Sequence, residues 1–289
     1  MRKPCKEIHL QSYDELFGLE PEVDRIIMVP LKDLHEFRNH PFRVKDDEKM
    51  KETVESIRQY GVLVPGIVRP RTEGGYELIS GHRRKRGSEL AGKTEMPVIV
   101  RNYTNDEATI IMVDSNIQRE ELLVSEKAKA YRMKYEAMKH QGVYSGRSTL
   151  EEVGAAAGDN AKKVQRYIWL SRLSDELLDL VDKKKLGFSQ GIDLSSLSKV
   201  EQFWVYEAIL DYDENLSILK SSMLKEYSKQ GLLNKEHANG IVRASKGCKR
   251  KIVLHDDNIS KFFDARYSDD EIETIILELL QEWRNRNQR

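Results

Sequence analysis

The feature that most restricts the fold is a change of pattern near residue 105. Before it, short β-branched segments bounded by glycine and proline alternate with helical spacing. The predicted strands are 26–29, 62–68, 76–79 and 97–100, and the helix at 46–60 buries Met50, Val54 and Ile57 and closes at Gly61. From Asn105 onward strand signals nearly vanish. The pattern therefore predicts a compact α+β domain followed by an all-α region.

The length of 289 residues suggests two or three domains. We expect a loose leader at 1–24, an α+β domain at 25–124, a helix-turn-helix domain at 125–212 and a helical C-terminal region at 213–289. Ser125 is the predicted cap of the helix that opens the second domain, and a flexible connector is expected at 141–148.

The charge balance excludes a general attraction to polyanions, because Lys plus Arg and Asp plus Glu both count 48. Local basic excesses occur at 69–101 and at 160–174. No segment has the pattern of a signal peptide or a membrane span, so the prediction is a cytoplasmic protein without a membrane partner. Cys5 and Cys248 stand alone, which indicates neither a disulfide framework nor a zinc site.

A helix-turn-helix is predicted at 149–170. Thr149 and Glu152 form a capping box for its first helix, which ends near Gly158, and Asn160 caps the second. Val164, Ile168 and Leu170 face inward, leaving Lys162, Lys163, Gln165 and Arg166 outside. Gln165 and Arg166 are the expected base readers, and Lys162 and Lys163 are expected to meet phosphates. The alternative is the basic, solvated face of an ordinary surface helix.

A second basic motif, GHRRKRG at 81–87, lies between a predicted strand and a predicted helix. Free amides at a helix start can face an anion, and the guanidinium groups of Arg83, Arg84 and Arg86 suit phosphate oxygens. No GxGxxG follows a strand, and the letters GxxxxGK[ST] occur at 87–94, at the end of the predicted helix and not between a strand and a helix, so the usual nucleotide folds are not indicated. The alternative is a basic loop on the surface.

Together these motifs resemble the ParB family of partition proteins. The matching segments, in order, are HPFRV, QYGVLVPGIVRP, YELISGHRRKRG, SNIQREEL and LEEVGAAAGDNAKKVQRYIWLSRL, and the resemblance extends through DLVDKKKLGFSQG to cover about 25–200. It implies a ParB/sulfiredoxin-like N-terminal fold, a palindromic double-stranded DNA site, a homodimer and a CTP-dependent clamp. A Walker-type partition ATPase is an implied partner, and the implied location is the nucleoid or a plasmid.

The resemblance also implies ligand-binding residues. CTP would be held by the 81–87 loop through Gly81, His82, Arg83, Arg84 and Arg86, with Arg119 on phosphate and Asn116 on Mg²⁺. The alternative for Asn116 is helix capping or a surface position. Two positions depart from the family pattern: His82 replaces an acid, and Ser115 replaces a glutamate. Because serine offers no carboxylate, the sequence favours CTP binding over hydrolysis, with at most weak CTPase activity.

Three functional classes follow. The first is a CTP-regulated partition protein. The second is a transcriptional or copy-number regulator on a mobile element without nucleotide turnover, which Ser115 favours. The third is an enzyme that reuses a sulfiredoxin- or nuclease-like domain, but the basic loop has no cysteine and no clustered carboxylates are apparent.

The last predicted helix has a broad apolar stripe and begins with a capping box, Ser268 and Glu271. The stripe comprises Ile272, Ile275, Ile276, Leu279, Leu280 and Trp283. It either packs on Phe262 and Phe263 or forms a dimer interface.

Overall fold

A computed structural model of the chain describes residues 26–119, 122–142, 148–212, 215–243, 262–263 and 266–287. The predicted leader, the thiols Cys5 and Cys248, and most of the predicted connector at 141–148 lie outside these residues. The chain divides into two compact units, Met1–Arg243 and Ala244–Arg289.

The first part of the larger unit is built on a five-stranded mixed sheet. Its strands are β1 (Ile26–Pro30), β2 (Leu34–Glu36), β3 (Gly66–Pro70), β4 (Tyr76–Ser80) and β5 (Glu95–Val100), in the order β1-β5-β3-β4-β2. β1 and β5 are antiparallel, β5 and β3 parallel, β3 and β4 antiparallel, and β4 and β2 parallel. Helices α1 (Glu48–Tyr60), α2 (His82–Leu90) and α3 (Asn105–Asp114) complete this part.

Local signals explain where these elements begin and end. The Asp47 side chain accepts the Met50 amide at the start of α1, and Gly61 ends that helix with a φ of 73°. The predicted strand at 62–68 is wrong in its first half, since β3 begins only at Gly66. The carbonyl oxygens of Val64 and Pro65 accept hydrogen bonds from Arg84 and not from a neighbouring strand.

The second part of this unit is helical. It contains α4 (Val124–Gln141), α5 (Thr149–Ala155), α6 (Ala161–Leu170), α7 (Asp175–Asp182), α8 (Phe188–Leu194), α9 (Lys199–Tyr212), α10 (Ile218–Lys229) and α11 (Lys235–Arg243). The predicted α+β domain followed by helices is confirmed.

Two predicted helix caps are wrong. Ser148, not Thr149, caps α5, and its partner is Glu151 and not Glu152. Serine followed three residues later by glutamate satisfies the capping-box spacing equally well, so the sequence offered two overlapping solutions. Ser125 does not cap α4, because its amide and hydroxyl both donate to Asp182 of α7.

Three clusters of buried side chains form the core. One lies on the sheet and includes Val29, Val68 and Leu78. A second joins Phe42 and Ile79 of the sheet part to helices α3 to α6, and a third fills the space among the helices from α4 to α11. The second cluster therefore holds the helix-turn-helix directly against the sheet part.

The smaller unit contains α12 (Asp269–Asn287). The predicted capping box at its start is confirmed, because the Ser268 amide donates to Glu271 and the Glu271 amide donates to the Ser268 hydroxyl. Within the part of the chain that the structure describes, no helix combines the length and the apolar character that a membrane span requires.

Candidate functional site

The basic motif at 81–87 forms the turn from β4 into α2. Gly81 has a φ of 115°, and a Cβ there would approach the Gly66 Cα to 3.2 Å. A side chain at this position would therefore strain the backbone and crowd β3. The first amides of α2 have no acceptor within the helix, so this end carries a partial positive charge.

A cavity of about 330 Å³ opens beside this turn. Eight residues line it: Arg43, Lys45, Asp47, Lys49, Arg83, Arg119, Leu122 and Glu126. Five of these side chains are cationic and two are acidic, so the lining carries a net positive charge. Its volume is in the range of small-molecule sites, and its charge fits an anionic ligand.

Arg83 and Arg119, both predicted from the sequence, reach this cavity. Arg83 donates to the Asp47 carboxylate at 3.1 Å, and this hydrogen bond is the main cause of the lowered pKa of Asp47. Partial burial of Arg119 lowers its pKa, and the nearby positive charge of Arg83 lowers it further. Two guanidinium groups that repel each other are both stabilised when an anion lies between them.

Arg84 and Arg86 do not line this cavity. Arg84 donates to the Val64 and Pro65 carbonyl oxygens, and Arg86 pairs with Asp46 at 2.7 Å. Successive residues of a helix point about 100° apart, so neighbouring arginines at one helix start cannot all face the same ligand. In this conformation Arg84 and Arg86 hold the segments at 64–65 and 46 against α2.

His82, which precedes Arg83 in α2, does not line the cavity and stacks on His40. The two ring centroids are 3.8 Å apart, and both Nε2 atoms are buried without a hydrogen-bond partner among the described residues. Burial, together with repulsion between its proton and a proton on His40 or the cation of Arg119, lowers the pKa of His82 to about 3. Burial also lowers the pKa of His40. Both rings are therefore neutral at physiological pH.

Asn116 lies at the end of α3, where only 3% of it is exposed. Its side-chain amide donates to the Met112 carbonyl at 2.7 Å and to the Ser115 hydroxyl at 3.1 Å. Asn116 is not among the residues that line the cavity, although its backbone carbonyl oxygen accepts the Arg119 backbone amide. The neighbouring Asp114 pairs with Lys134 at 2.6 Å.

Arg43, Lys45 and Lys49 line the cavity but were missed as binding residues from the sequence. The only available signal was the high charge of FRVKDDEK at 42–49, whose three basic and three acidic residues look like any charged surface segment. Glu126 brings this segment to the site, since its carboxylate accepts the Arg43 amide at 2.9 Å and the Leu123 amide at 3.2 Å.

The helix-turn-helix consists of α5, a turn and α6. Asn160 caps α6 by accepting the Lys163 amide, and Val164, Ile168 and Leu170 are buried, so these predictions are confirmed. In the turn, the buried carboxylate of Asp159 binds the side chains of Lys127, Tyr131 and Lys163. Burial raises the pKa of Asp159, but these three hydrogen bonds outweigh burial and lower the pKa to about 2.

The four predicted DNA-binding residues have different surroundings on α6. Lys162 and Arg166 are exposed, and Gln165 is half-buried. Lys163 is exposed but pairs with Asp159 at 2.6 Å. The Arg166 guanidinium lies 4.9 Å from the centroid of the Phe188 ring and donates to the Ser189 hydroxyl at 3.3 Å. α8, which carries Phe188 and Ser189, therefore supports Arg166.

The fold and the two basic sites define a class: a mixed-sheet domain with a cationic cavity at a helix start, joined to a helix-turn-helix. Residues 18–117 match the sequence family of the ParB N-terminal domain. The chain is 30% identical over 201 residues to the chromosome-partitioning protein Spo0J of Thermus thermophilus, a match that covers 70% of each protein. The chain belongs to the ParB family.

Other relatives carry related names. A nucleoid occlusion protein of Lysinibacillus sphaericus is 31% identical over 201 residues, covering 69% of this chain and 65% of that protein. A solved ParB of Caulobacter crescentus on its centromeric parS site is 22% identical with a TM-score of 0.41, covering 69% of this chain and 98% of that one. The same protein complexed with CTP-gamma-S is 24% identical with a TM-score of 0.31, covering 64% and 99%.

Proposed function

We propose that this protein is a sequence-specific, duplex-binding partition protein whose hold on DNA is regulated by CTP. One observation carries the proposal: the cavity with five cationic side chains lies beside the start of α2, in the same compact unit as a helix-turn-helix. Membership of the ParB family and the partition names of the relatives support it.

The triphosphate of CTP fits the charge of the cavity. The α2 amides after Gly81 and the guanidinium groups of Arg83 and Arg119 would bind phosphate oxygens, with Arg43, Lys45 and Lys49 adding positive charge. His82 would border the ligand as a neutral ring. Arg84 and Arg86 would reach phosphate only after leaving their present partners.

Mg²⁺ is compatible with this site only as an ion that arrives with the nucleotide. Among the described residues no group of three His, Cys, Asp or Glu side chains could hold a metal by itself. Mg²⁺ commonly takes one or two protein oxygens and completes its shell with phosphate and water. The side-chain oxygen of Asn116, whose nitrogen is fixed by Met112, is the ligand we propose.

Nucleotide binding without efficient hydrolysis follows from the residues near Asn116. The Ser115 hydroxyl donates to the Met112 carbonyl and offers no carboxylate to orient water. Asp114 cannot replace the missing glutamate while it pairs with Lys134. We therefore assign at most weak CTPase activity to the protein.

For DNA, we assign base reading to Arg166 and Gln165 at the start of α6, and phosphate contact to Lys162 and, when released from Asp159, Lys163. A palindromic site would match a homodimer. The proposal also includes a Walker-type partition ATPase as a partner and a cytoplasmic location on nucleoid or plasmid DNA.

The nucleotide part is tested by isothermal titration of CTP with Mg²⁺. Replacing both Arg83 and Arg119 with alanine should weaken binding at least tenfold, because each removes a charge-assisted contact. Arg58→Ala is the matched control, since Arg58 pairs with Glu55 on α1 and does not line the cavity. If wild type and the double variant bind CTP equally, or if neither binds it, the nucleotide proposal is wrong.

A second candidate function is a regulator of transcription or copy number without nucleotide turnover, which the missing carboxylate at Ser115 favours. Chromatin pull-down sequencing separates the two candidates. A sliding clamp spreads over kilobases around its site, whereas an operator binder gives one sharp peak. Phosphate release in the presence of cognate DNA gives an independent measure of turnover.

A further inference from the structure

Three consecutive lysines, Lys183 to Lys185, form an exposed turn between α7 and α8, which we call the lysine turn. The Lys183 amide donates to the Asp179 carbonyl at 3.0 Å, and the Lys185 amide donates to the Leu180 carbonyl at 2.9 Å. Lys184 has a φ of 58°, a conformation that side chains other than glycine, asparagine and aspartate seldom adopt. The backbone of this turn is therefore ordered, and its side chains point to solvent.

The acidic groups nearest in sequence do not neutralise the turn. Asp179 pairs with Arg43 at 3.1 Å, and Asp182 accepts the Ser125 amide at 3.0 Å. No ion pair joins Lys183 or Lys184 to an acidic side chain in the part of the chain that the structure describes. Because Arg43 balances the charge of Asp179 and the single charge of Asp182 is outnumbered by the lysines, the field of the lysine turn stays positive.

The lysine turn lies close to the base-reading residue proposed above. Ser189, which accepts a hydrogen bond from Arg166, is five residues after Lys184. Five residues span at most about 18 Å between Cα atoms, and the major groove is about 12 Å wide. The lysine turn is therefore close enough to Arg166 for one duplex to contact both.

We propose that the lysine turn is a second DNA contact that binds the phosphate backbone beside the groove that α6 enters. The inference rests on the proposed function, since it needs α6 to meet duplex DNA. Lysines act here as point charges and read no bases, so the contact adds the same affinity to every duplex sequence. It extends the interface from one helix to the turn before α8.

The test is the salt dependence of duplex affinity, measured by fluorescence anisotropy with cognate and unrelated duplexes. The variant carries Lys183→Gln and Lys184→Gln in the full chain. Each lost phosphate contact should reduce the slope of log affinity against log salt by about 0.9, so the double variant should lose about 1.8 on both duplexes. The matched control is Lys32→Gln with Lys93→Gln, the same charge change at exposed positions beside β1 and β5.

If the double variant has the same salt slope as wild type, or if the control shows an equal reduction, the lysine turn is not a DNA contact. Either result would leave the proposed base reading by α6 unaffected. Absence of duplex binding by the wild type would overturn both proposals. Lys184→Gly guards against misfolding, because glycine adopts the positive φ of this position and removes one charge. Its salt slope should fall by about half as much as the slope of the double variant.

Discussion

The stacked rings of His82 and His40 make the stability of this protein depend on pH. Their side chains stack at 3.8 Å between centroids, and neither Nε2 atom has a hydrogen-bond partner within the described ranges. A proton on either ring would place an unpaired charge close to Arg119. These two rings therefore stay unprotonated in the folded state at pH values where they bind a proton in the unfolded chain.

The sign of the resulting pH effect follows from the lowered pKa of His82. This pKa falls from 6.5 to about 3, so below about pH 6.5 the unfolded chain binds a proton that the folded chain refuses. Stability is therefore complete above that pH and is lost as the pH falls towards 3, by at most about 1.4 kcal/mol per unit for this ring.

His82→Gln should reduce this pH dependence. Between pH 7 and pH 5, the free energy of unfolding of wild type should fall by up to about 2 kcal/mol more than that of the variant, because glutamine does not titrate. Urea unfolding at the two pH values measures the difference. Parallel losses in the two proteins would show that the folded state accommodates the charged ring.

Only some of the residues that line the cavity could be predicted from the sequence. The motif at 81–87 indicated Arg83 and SNIQRE indicated Arg119, and both line the cavity. Arg43, Lys45 and Lys49 were missed because their approach depends on Glu126, more than seventy residues later, binding the Arg43 amide. No local pattern encodes such a contact.

At the scale of elements, the helix-turn-helix depends on a close approach of α5 to its own turn. A Cβ added to Gly154 would lie 2.1 Å from the Asp159 carbonyl oxygen and 2.8 Å from the Val164 side chain. Glycine is therefore required here for space and not for a positive φ. The same turn is held by the Asp159 carboxylate through Lys127 and Tyr131 of α4.

Gly154→Ala should open this turn and weaken duplex binding at least tenfold, with a loss of about 2 kcal/mol in stability from overpacking. Gly240→Ala in α11 is the control, because a Cβ there meets nothing within 4 Å. The control should be neutral or slightly stabilised, as alanine favours helix. Anisotropy and thermal unfolding of both variants provide the measurement, and full duplex affinity of Gly154→Ala would contradict the role given to this glycine.

Helix positions were more predictable than their exact starts. Asn160 and the apolar positions of α6 repeat at helical spacing, so α6 was placed correctly. The start of α5 shifted by one residue because Ser148 and Thr149 each precede a glutamate at the capping distance. The strand predicted at 62–68 failed in its first half because β-branched residues also occur in loops, and its carbonyl oxygens bind Arg84.

At the scale of the whole molecule, the larger unit is not divided where the sequence pattern changes. Phe42 and Ile79 from the sheet part share a cluster with Tyr131 of α4 and Val164 of α6. The change from strands to helices comes near residue 105, before the boundary predicted between 124 and 125, and the hydrophobic core continues across both positions. Sequence periodicity reports which elements form, but it does not report which of them share a core.

The smaller unit leaves part of its apolar stripe uncovered. On α12, Leu279 is 58% and Trp283 is 65% exposed, while Ile272, Ile275 and Ile276 are half-buried. If this stripe forms a dimer interface, replacing both Leu279 and Trp283 with glutamate should convert the dimer into a monomer, because two charges would enter an apolar interface.

Sedimentation velocity of the full chain measures this change. Leu277→Glu is the control, since Leu277 is equally exposed but lies outside the stripe. A double variant that sediments like wild type would assign the stripe no part in self-association.

Helix α4 contacts both the cavity and the helix-turn-helix of the larger unit. Its first turn carries Glu126 into the wall of the cavity, and the next positions, Lys127 and Tyr131, hold the turn before α6. Coupling between two binding events is reciprocal, so any factor by which a nucleotide alters duplex affinity through α4 must equally alter nucleotide affinity when the duplex binds. A cognate DNA site would then select which molecules load nucleotide, just as the nucleotide would select which molecules remain on DNA.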